Sequence, residues 1–489
     1  MNKEGRAGLT SSLVWTALER LATQGIQFVL SVILARLLAP YDYGVLALIT
    51  VFISIATTVI ETGLSSSIIQ KKDITRQQEN SIFTLNLLLS LVLYGALFLI
   101  APAIGRFYSD FDYETIVSVI RVYSLVLPIG SCVSMQSALL FRSMEFRRFF
   151  LTNIAAVVLS GTLGVLLAYF GYGVWALVGQ QLAFKAIQAV SLLLLQLKDR
   201  HVFAPSFRFR EVRGMVSFGS FILLNRTVNT VYHQLRSLFI GKRYTPEDLG
   251  FYNKGETLPS MIATNTDYAL QKVMFSAYSR TQDDIVGLRS MLSKTVGCST
   301  FLLFPLMLGM AVTADTLVLL LFTEKWLLCV PYLQLFCFLY FLQPFKTSCA
   351  QALNAIGKSS VTLRLGLISK AIGVLLLLAT IRISVFAVVL STLAVELITT
   401  LLYLFCNRKF FDYRIGQQLL DVFPNILSGA LMAALVVGIG LLPVGSAVLM
   451  LLLQVVVGAL VYLLMSIVLK NPYYLLIKNT VFKRGGKKP

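Results

Sequence analysis

Two stretches of this sequence repeat one pattern: ILARLLAPYDYG at residues 33–44 and FIGKRYTPEDLG at residues 239–250. In both, proline, aspartate and glycine follow each other as Pro-x-Asp-x-Gly, at Pro40, Asp42 and Gly44 in the first copy. In such a turn the proline stops one helix, the aspartate caps the next and the glycine relaxes the backbone. The pattern therefore predicts a helix–turn–helix unit that the chain uses twice.

The apolar character of the chain indicates its class. Hydrophobic residues make up 57% of the 489 positions and charged residues only 13%, whereas about a quarter of a soluble globular protein is charged. Each long apolar run can cross about 30 Å of hydrocarbon as a helix. Fourteen such segments lie near residues 12–35, 44–66, 81–104, 115–138, 150–169, 173–196, 214–240, 250–271, 295–313, 327–355, 365–381, 384–406, 422–441 and 445–469. We predict an all-α polytopic membrane protein with about 14 transmembrane helices.

Loops rich in basic residues alternate along the chain with loops that have few, so the basic residues concentrate on one side of the membrane. With the segments above, 28 Lys and Arg residues fall on the side of both termini and 6 on the other side. The positive-inside rule then places both termini in the cytoplasm. The net charge of +19 is thus a signal of membrane topology, and we expect no nucleic-acid partner because no soluble segment is long enough to form a basic domain.

The repeat also predicts the domain organisation. Over residues 8–44, eight of 37 positions are identical to their partners in the second copy, where chance would give about two. The second copy starts at the seventh apolar segment, so each repeat has six helices and the two lobes run parallel, as in transporters whose substrate path lies between the lobes. We predict lobes at residues 1–205 and 206–411, an extra helix pair at 412–471 and a basic cytoplasmic tail at 472–489.

The segments ILARLLAPYDYGVLALITVF (33–52) and ETGLSSSIIQKKDIT (61–75) resemble the polysaccharide transporter branch, which includes O-antigen and colanic-acid-type flippases, of the multidrug/oligosaccharidyl-lipid/polysaccharide exporter superfamily. The resemblance implies a secondary transporter rather than an enzyme, with no cofactor. Its substrate would be an oligosaccharide on undecaprenyl pyrophosphate, moved across the bacterial inner membrane for lipopolysaccharide, capsule or exopolysaccharide synthesis. Membrane lipid and a polysaccharide polymerase with its export machinery would be the further partners.

Polar stripes run along three of the apolar segments. Residues spaced by three or four positions share one helix face, which gives Arg20, Gln24, Gln27 and Ser31 on segment 1, Arg226, Thr230, His233 and Ser237 on segment 7, and Gln181, Lys185 and Gln188 on segment 6. Such stripes either line an internal wet cavity or hold helices together by hydrogen bonds. A basic cavity suits a diphosphate, because guanidinium groups match phosphate oxygens in pairs. We predict that the substrate-binding residues are Arg20, Gln24, Gln27, Lys185, Arg226 and His233.

Three acidic residues inside the segments are candidates for a coupling ion, either H⁺ or Na⁺. They are Glu61, Asp267 and Glu396. Glu61 and Asp267 occupy matching positions in the two repeats, and the alternative for both is a helix-end carboxylate beside Lys71, Lys72 or Lys272. Glu396 could instead pair with a buried lysine, which is the first-ranked interpretation.

Two other functional classes are less consistent with these features. A drug exporter of the same superfamily would favour an acidic or aromatic cavity for cationic substrates, whereas the stripes here are basic. A membrane-embedded glycan polymerase or ligase would need catalytic residues in a sizeable outer loop, and the outer loops are short. The chain has no Walker A pattern, and its six cysteines show no spacing typical of a metal site.

Overall fold

The computed structural model describes residues 22–70, 74–198, 206, 208–281, 284–443 and 445–483. Every regular element in these ranges is a helix. The first eight are α1 (Ala22–Leu37), α2 (Pro40–Gln70), α3 (Arg76–Phe107), α4 (Tyr113–Tyr123), α5 (Val126–Arg142), α6 (Phe146–Tyr169), α7 (Val174–Lys198) and α8 (Phe209–Arg243).

The chain continues through α9 (Pro246–Arg280), α10 (Ile285–Val312), α11 (Ala314–Phe322), a 3₁₀ helix (Glu324–Cys329), α12 (Val330–Phe341), α13 (Gln343–Ala355), α14 (Ser359–Thr380), α15 (Val385–Phe411), α16 (Ile415–Gly440), α17 (Ala447–Val468) and α18 (Pro472–Lys483). The chain divides into two compact units, Met1–Gly250 and Phe251–Pro489. The predicted lobe boundaries at residues 205, 411 and 471 remain predictions.

The fold class predicted from the sequence is confirmed. Within the described ranges, eleven helical segments are long and apolar enough to cross a membrane, so the protein is a multi-pass helical membrane protein. Within the described ranges, each of the fourteen predicted segments falls on helical structure; α4 and α5 together form the fourth segment, and the 3₁₀ helix, α12 and α13 together form the tenth. The number fourteen stays a prediction, because α1, α8 and α9 are not among the eleven.

The repeated aspartate stabilises the start of a helix in both copies. The carboxylate of Asp42 accepts a hydrogen bond from the backbone N–H of Ala39 at 3.0 Å, and that of Asp248 accepts one from Thr245 at 3.3 Å. A carboxylate in the first helical turn that reaches back to the N-cap N–H satisfies a donor that the helix itself leaves open. The predicted capping role is therefore confirmed, with the aspartate acting from inside the helix.

The predicted role of the repeated glycine is wrong. Gly44 and Gly250 lie within α2 and α9, where no relaxed backbone is needed. A Cβ atom on Gly44 would stand 1.7 Å from the carbonyl oxygen of Pro246, and one on Gly250 would stand 2.3 Å from that of Pro40. The two glycines therefore let the first turns of α2 and α9 cross in direct backbone contact, which we call the glycine crossing.

The helices of the first unit pack closely around α2. Helix α8 lies along one side of α2, and α5 packs on it as well. Helices α6 and α7 form a pair joined by a tight turn in which Gly171 and Gly173 have positive φ angles of 80° and 52°. This packing leaves the polar positions of α1, α2, α7 and α8 inside one unit.

In the second unit, a buried polar network ties the C-terminal helices to α10. The side-chain amide of Asn425 on α16 donates to the carbonyl oxygen of Gly297 at 2.9 Å and to the hydroxyl of Thr300 at 2.8 Å. Asn471, just before α18, donates to the Asn425 side-chain oxygen at 2.6 Å. Because buried amides are stable only when bonded, this network determines how α16 packs against α10.

The glycine crossing makes a direct prediction for Gly44→Ala. The added methyl group meets a backbone carbonyl that cannot rotate away, so we expect a loss of about 1–3 kcal/mol in stability, as for other overpacked sites. The thermal midpoint of the purified protein in detergent should fall measurably. The matched control is Gly95→Ala on α3, where a Cβ atom would meet nothing within 4 Å, and an equal midpoint for both variants would contradict the crossing.

Candidate functional site

A cavity of about 560 Å³ lies in the first unit between α2 and α8. We call it the charged cavity. Every one of its lining residues is polar or charged: Thr57, Thr58, Glu61, Arg226, Asn229, Thr230, His233 and Gln234. Since both helices otherwise carry apolar faces, this concentration of polar groups marks the charged cavity as the candidate site.

Helical spacing brings these residues to one face. On α8, Arg226, Thr230 and His233 follow each other at four and three positions, so the stripe predicted from the sequence forms part of the wall. Ser237, the fourth member of that predicted stripe, is buried and lies outside the lining. The opposite wall comes from α2, through Thr57, Thr58 and Glu61, which also share one face.

Two hydrogen bonds hold α2 and α8 together beside the charged cavity. The hydroxyl groups of Thr58 and Thr230 are 3.1 Å apart, and the side-chain amide of Gln234 donates to the hydroxyl of Ser54 at 3.0 Å. These contacts are the interhelical polar bonds expected inside a membrane. They fix the spacing of the two walls, and they leave Arg226, Asn229 and His233 on the cavity surface.

Lys185 and Glu61 form an ion pair that joins α7 to α2. The ammonium group of Lys185 donates to the Glu61 carboxylate at 3.1 Å, and the two side chains are 24% and 39% exposed. While this pair is closed, the charge of Lys185 is compensated by the Glu61 carboxylate.

Arg226 differs from Lys185 in this respect. It is exposed to the cavity, and within the described part of the chain it forms no ion pair or hydrogen bond. Its guanidinium group is thus the uncompensated positive charge of the cavity wall. His233 is also exposed, with its ring centroid 5.9 Å from that of Tyr232.

A second cavity of about 310 Å³ lies in the same unit, between α1, α2, α6 and α7. We call it the neutral cavity, because its lining contains no charged residue among those described. It is lined by Gln27, Ser31, Leu34, Tyr43, Leu46, Val157, Ser160, Leu177, Gln180, Gln181 and Phe184. The predicted substrate residue Gln27 is therefore in a different cavity from Arg226.

The three residues of the polar stripe on α7 have three different roles. Gln181 lines the neutral cavity, and Lys185 binds Glu61. Gln188 is buried and donates to Asn153, which in turn donates to Thr23, with both distances 3.3 Å. For Gln188 the alternative interpretation of the stripe, hydrogen bonding between helices, is the one that the structure supports.

Some predicted residues lie outside the described part of the structure. This applies to Arg20 and to the side chain of Asp267. Gln24 lies on α1, partly buried, and lines neither cavity.

Two further charges in apolar segments have clear partners in the second unit. Lys346 donates to Glu396, the pairing that ranks first from the sequence. Lys254 is 3% exposed, and its ammonium group lies 4.2 Å from the centre of the Phe322 ring and 5.5 Å from that of Trp326. Aromatic faces stabilise a desolvated cation, so this lysine can remain in an apolar segment.

Sequence reasoning missed Thr57, Thr58, Asn229 and Gln234 as cavity residues. A signal for the first two was present, because Ser54, Thr57 or Thr58, and Glu61 follow helical spacing on α2. Nothing in the sequence connected Glu61 with its partner Lys185. Lys185 lies 124 positions away, and only the packing of α7 against α2 brings the two together.

Known proteins with similar sequences are bacterial polysaccharide proteins. The lipopolysaccharide biosynthesis protein WzxC of Escherichia coli (strain K12) is 27% identical over 330 residues, which cover 67% of this chain and 66% of WzxC. The succinoglycan biosynthesis transport protein ExoT of Rhizobium meliloti (strain 1021) is 24% identical over 332 residues, or 67% of this chain and 65% of ExoT. The chain thus spans about two thirds of the length of these curated relatives.

Solved structures with the same fold are membrane transporters. The inward closed conformation of the lipid II flippase MurJ matches with a TM-score of 0.77 at 15% identity, over 96% of this chain and 100% of MurJ. An inward-facing multidrug resistance MATE family transporter of the MOP superfamily matches with a TM-score of 0.64 at 14% identity, over 83% of this chain and 98% of the transporter. At these identities the likeness shows the fold alone.

The family assignment rests on the sequence. Residues 33–331 match the family described as "Polysaccharide biosynthesis protein". This range includes the repeated turns, all of α2 to α11 and every described residue of the charged cavity. Because the match covers more than half of the chain, the protein belongs to the polysaccharide biosynthesis protein family.

Proposed function

We propose that the protein is a flippase, a secondary transporter rather than an enzyme. Its substrate is an oligosaccharide linked to undecaprenyl pyrophosphate, which it moves across the membrane by alternating access for surface polysaccharide synthesis. The observation that carries the proposal is the uncompensated guanidinium group of Arg226 in a large polar cavity of a helical membrane protein. The names of the relatives WzxC, ExoT and MurJ agree with this function.

The chemistry of the charged cavity suits a diphosphate. Arg226 offers paired N–H donors that match phosphate oxygens, and the hydroxyl of Thr57, which also lines the cavity, offers a further hydrogen bond. The isoprenoid tail stays in the lipid while the headgroup enters the protein. A cationic drug would be repelled by Arg226, which makes the multidrug alternative weaker.

We place the protein in the bacterial inner membrane with both termini in the cytoplasm. The support is the bias of 28 basic residues against 6 between the two sides. In this orientation α2 runs inward from Pro40, so Glu61 lies toward its cytoplasmic end. The charged cavity then lies where a headgroup arriving from the cytoplasmic leaflet can reach it. Contact with a polysaccharide polymerase and export machinery is part of the same proposal.

The ion pair between Glu61 and Lys185 supplies a mechanism for coupling. When Glu61 takes up a proton, or binds Na⁺, the attraction that holds Lys185 is lost. Lys185 is then available to the diphosphate beside Arg226, because Glu61 itself lines the charged cavity. Glu61 thus acts as the coupling residue and Lys185 as a conditional substrate ligand. Asp267 remains a coupling candidate, whereas Glu396 is already paired with Lys346.

The function is tested by Arg226→Ala in a strain that lacks its own flippase for the same glycan. A hydrogen-bonded charge contributes about 1.5–3 kcal/mol, so we expect at least about a tenfold loss of exported polysaccharide. Lipid-linked oligosaccharide should accumulate on the inner leaflet while membrane expression stays normal. Arg226→Lys should restore part of the export.

Arg382→Ala is the control for Arg226→Ala. Arg382 is exposed between α14 and α15, and its replacement should leave export unchanged. Normal export by Arg226→Ala, at normal protein levels, would remove Arg226 from the binding site and with it the main support for this function.

The coupling mechanism is tested by exchanging the two charges, Glu61→Lys with Lys185→Glu. A purely structural pair should work in either orientation, so export should recover in the double variant. For the coupling role we expect thermal stability to recover and export to stay low, because the carboxylate has moved from α2 to α7. Glu61→Gln, which mimics the protonated acid, should make transport in vesicles independent of an imposed pH gradient. Full recovery of export by the double variant would reduce the pair to a structural contact.

A further inference from the structure

The neutral cavity differs in chemistry from the charged cavity. Its polar lining consists of amide and hydroxyl groups, and Tyr43 and Phe184 add aromatic surface. Its volume of about 310 Å³ lies at the lower end of the range of small-ligand sites and equals the space of about ten water molecules. The neutral cavity is therefore large enough for a small polar ligand and offers no counter-charge to an anion.

The amides in this cavity are not used to hold helices together. Within the described residues, Gln27, Gln180 and Gln181 make no hydrogen bond, whereas Gln188 on the same helix binds Asn153. A polar group in a membrane protein is unfavourable unless water or a ligand satisfies it. Three such amides around one cavity therefore indicate a site that is filled by hydrogen-bonding molecules.

Amides and hydroxyls without charge select a neutral ligand rich in hydroxyl groups. A glutamine side chain both donates and accepts hydrogen bonds, as a sugar hydroxyl does, and an aromatic ring can pack against the apolar face of a sugar ring. A phosphate would find no cation here. The chemistry thus points to a carbohydrate rather than to a second anion site.

Helix α7 places the neutral cavity next to the charged cavity. Gln181 and Lys185 are four positions apart, which is about 6 Å along a helix, and Lys185 binds the Glu61 that lines the charged cavity. With α7 running from the outer side to the cytoplasm, Gln181 is farther from the cytoplasm than Lys185. A headgroup entering from the cytoplasmic leaflet keeps its diphosphate nearest the lipid tail, so its sugars reach deeper.

We propose that the neutral cavity is the sugar subsite, which holds a sugar residue of the substrate while Arg226 holds the diphosphate. This inference rests on the proposed function, because it requires that the substrate carries both groups. In this arrangement the charged cavity recognises the lipid diphosphate common to all such substrates. Gln27, Gln180 and Gln181 recognise the glycan, and they are therefore specificity-determining residues.

The test is equilibrium binding to the full-length protein in lipid nanodiscs with two probes. One probe is undecaprenyl pyrophosphate, and the other is the same lipid carrying the oligosaccharide, extracted from the cells that make it. The variants are Gln27→Met and Gln181→Met, singly and together, since methionine keeps the side-chain length. Gln196→Met is the matched control, because Gln196 is on α7 but lines a different cavity.

We expect the double variant to bind the sugar-bearing probe about tenfold more weakly than the unmodified protein does, as the loss of two hydrogen bonds implies. Its affinity for the bare lipid should change less than twofold, and its thermal midpoint should stay normal. Arg226→Ala should weaken the binding of both probes, whereas Gln196→Met should weaken the binding of neither.

Unchanged binding of the sugar-bearing probe by the double variant would overturn the sugar subsite and leave the flippase function intact. An equal loss for both probes would also overturn it, because the glutamines would then act through the structure of the unit. If the unmodified protein binds neither probe, the proposed function fails and the subsite fails with it.

Discussion

The direct backbone contact at the glycine crossing is the constraint on which the first unit depends. With no Cβ atom at Gly44 or Gly250, the first turn of each helix lies against the proline carbonyl of the other. Asp42 and Asp248 secure the same two turns by accepting hydrogen bonds from the residues that precede each helix. The repeated motif thus forms two matching helix starts that contact each other.

The charged cavity follows from that constraint. Helix α8 ends three residues before α9 begins, so fixing the start of α9 against α2 also fixes where α8 lies along α2. The hydroxyl pair of Thr58 and Thr230 then holds the middle of the two helices at hydrogen-bonding distance. With the walls set in this way, each helix presents one polar face to a shared space. A local steric requirement at the helix ends therefore positions Arg226 and Glu61 further along.

Four basic residues in the described apolar segments are accommodated in three ways. Lys346 and Lys185 have carboxylate partners, Lys254 lies against two aromatic rings, and Arg226 is exposed in the charged cavity. Because a charge in the hydrocarbon region costs about 2.5–3.5 kcal/mol even on lenient scales, each solution has a clear energetic reason. Arg226 alone of these four faces a space large enough for a substrate, which separates its function from that of the others.

The sequence by itself determined the fold class, the family resemblance, the repeated unit and the helical face of the α8 stripe, because apolar length, turn residues and spacing are local properties. It could not determine that Glu61 meets Lys185, that Gln27 and Arg226 lie in different cavities, or that the glycines serve packing. These depend on which helices are neighbours, and that is decided by the fit of side chains and backbone between elements far apart in the chain. The stripe on α7 is the clearest case. Its three residues are equivalent in the sequence, and only tertiary contacts make one a cavity wall, one an ion pair and one a structural hydrogen bond.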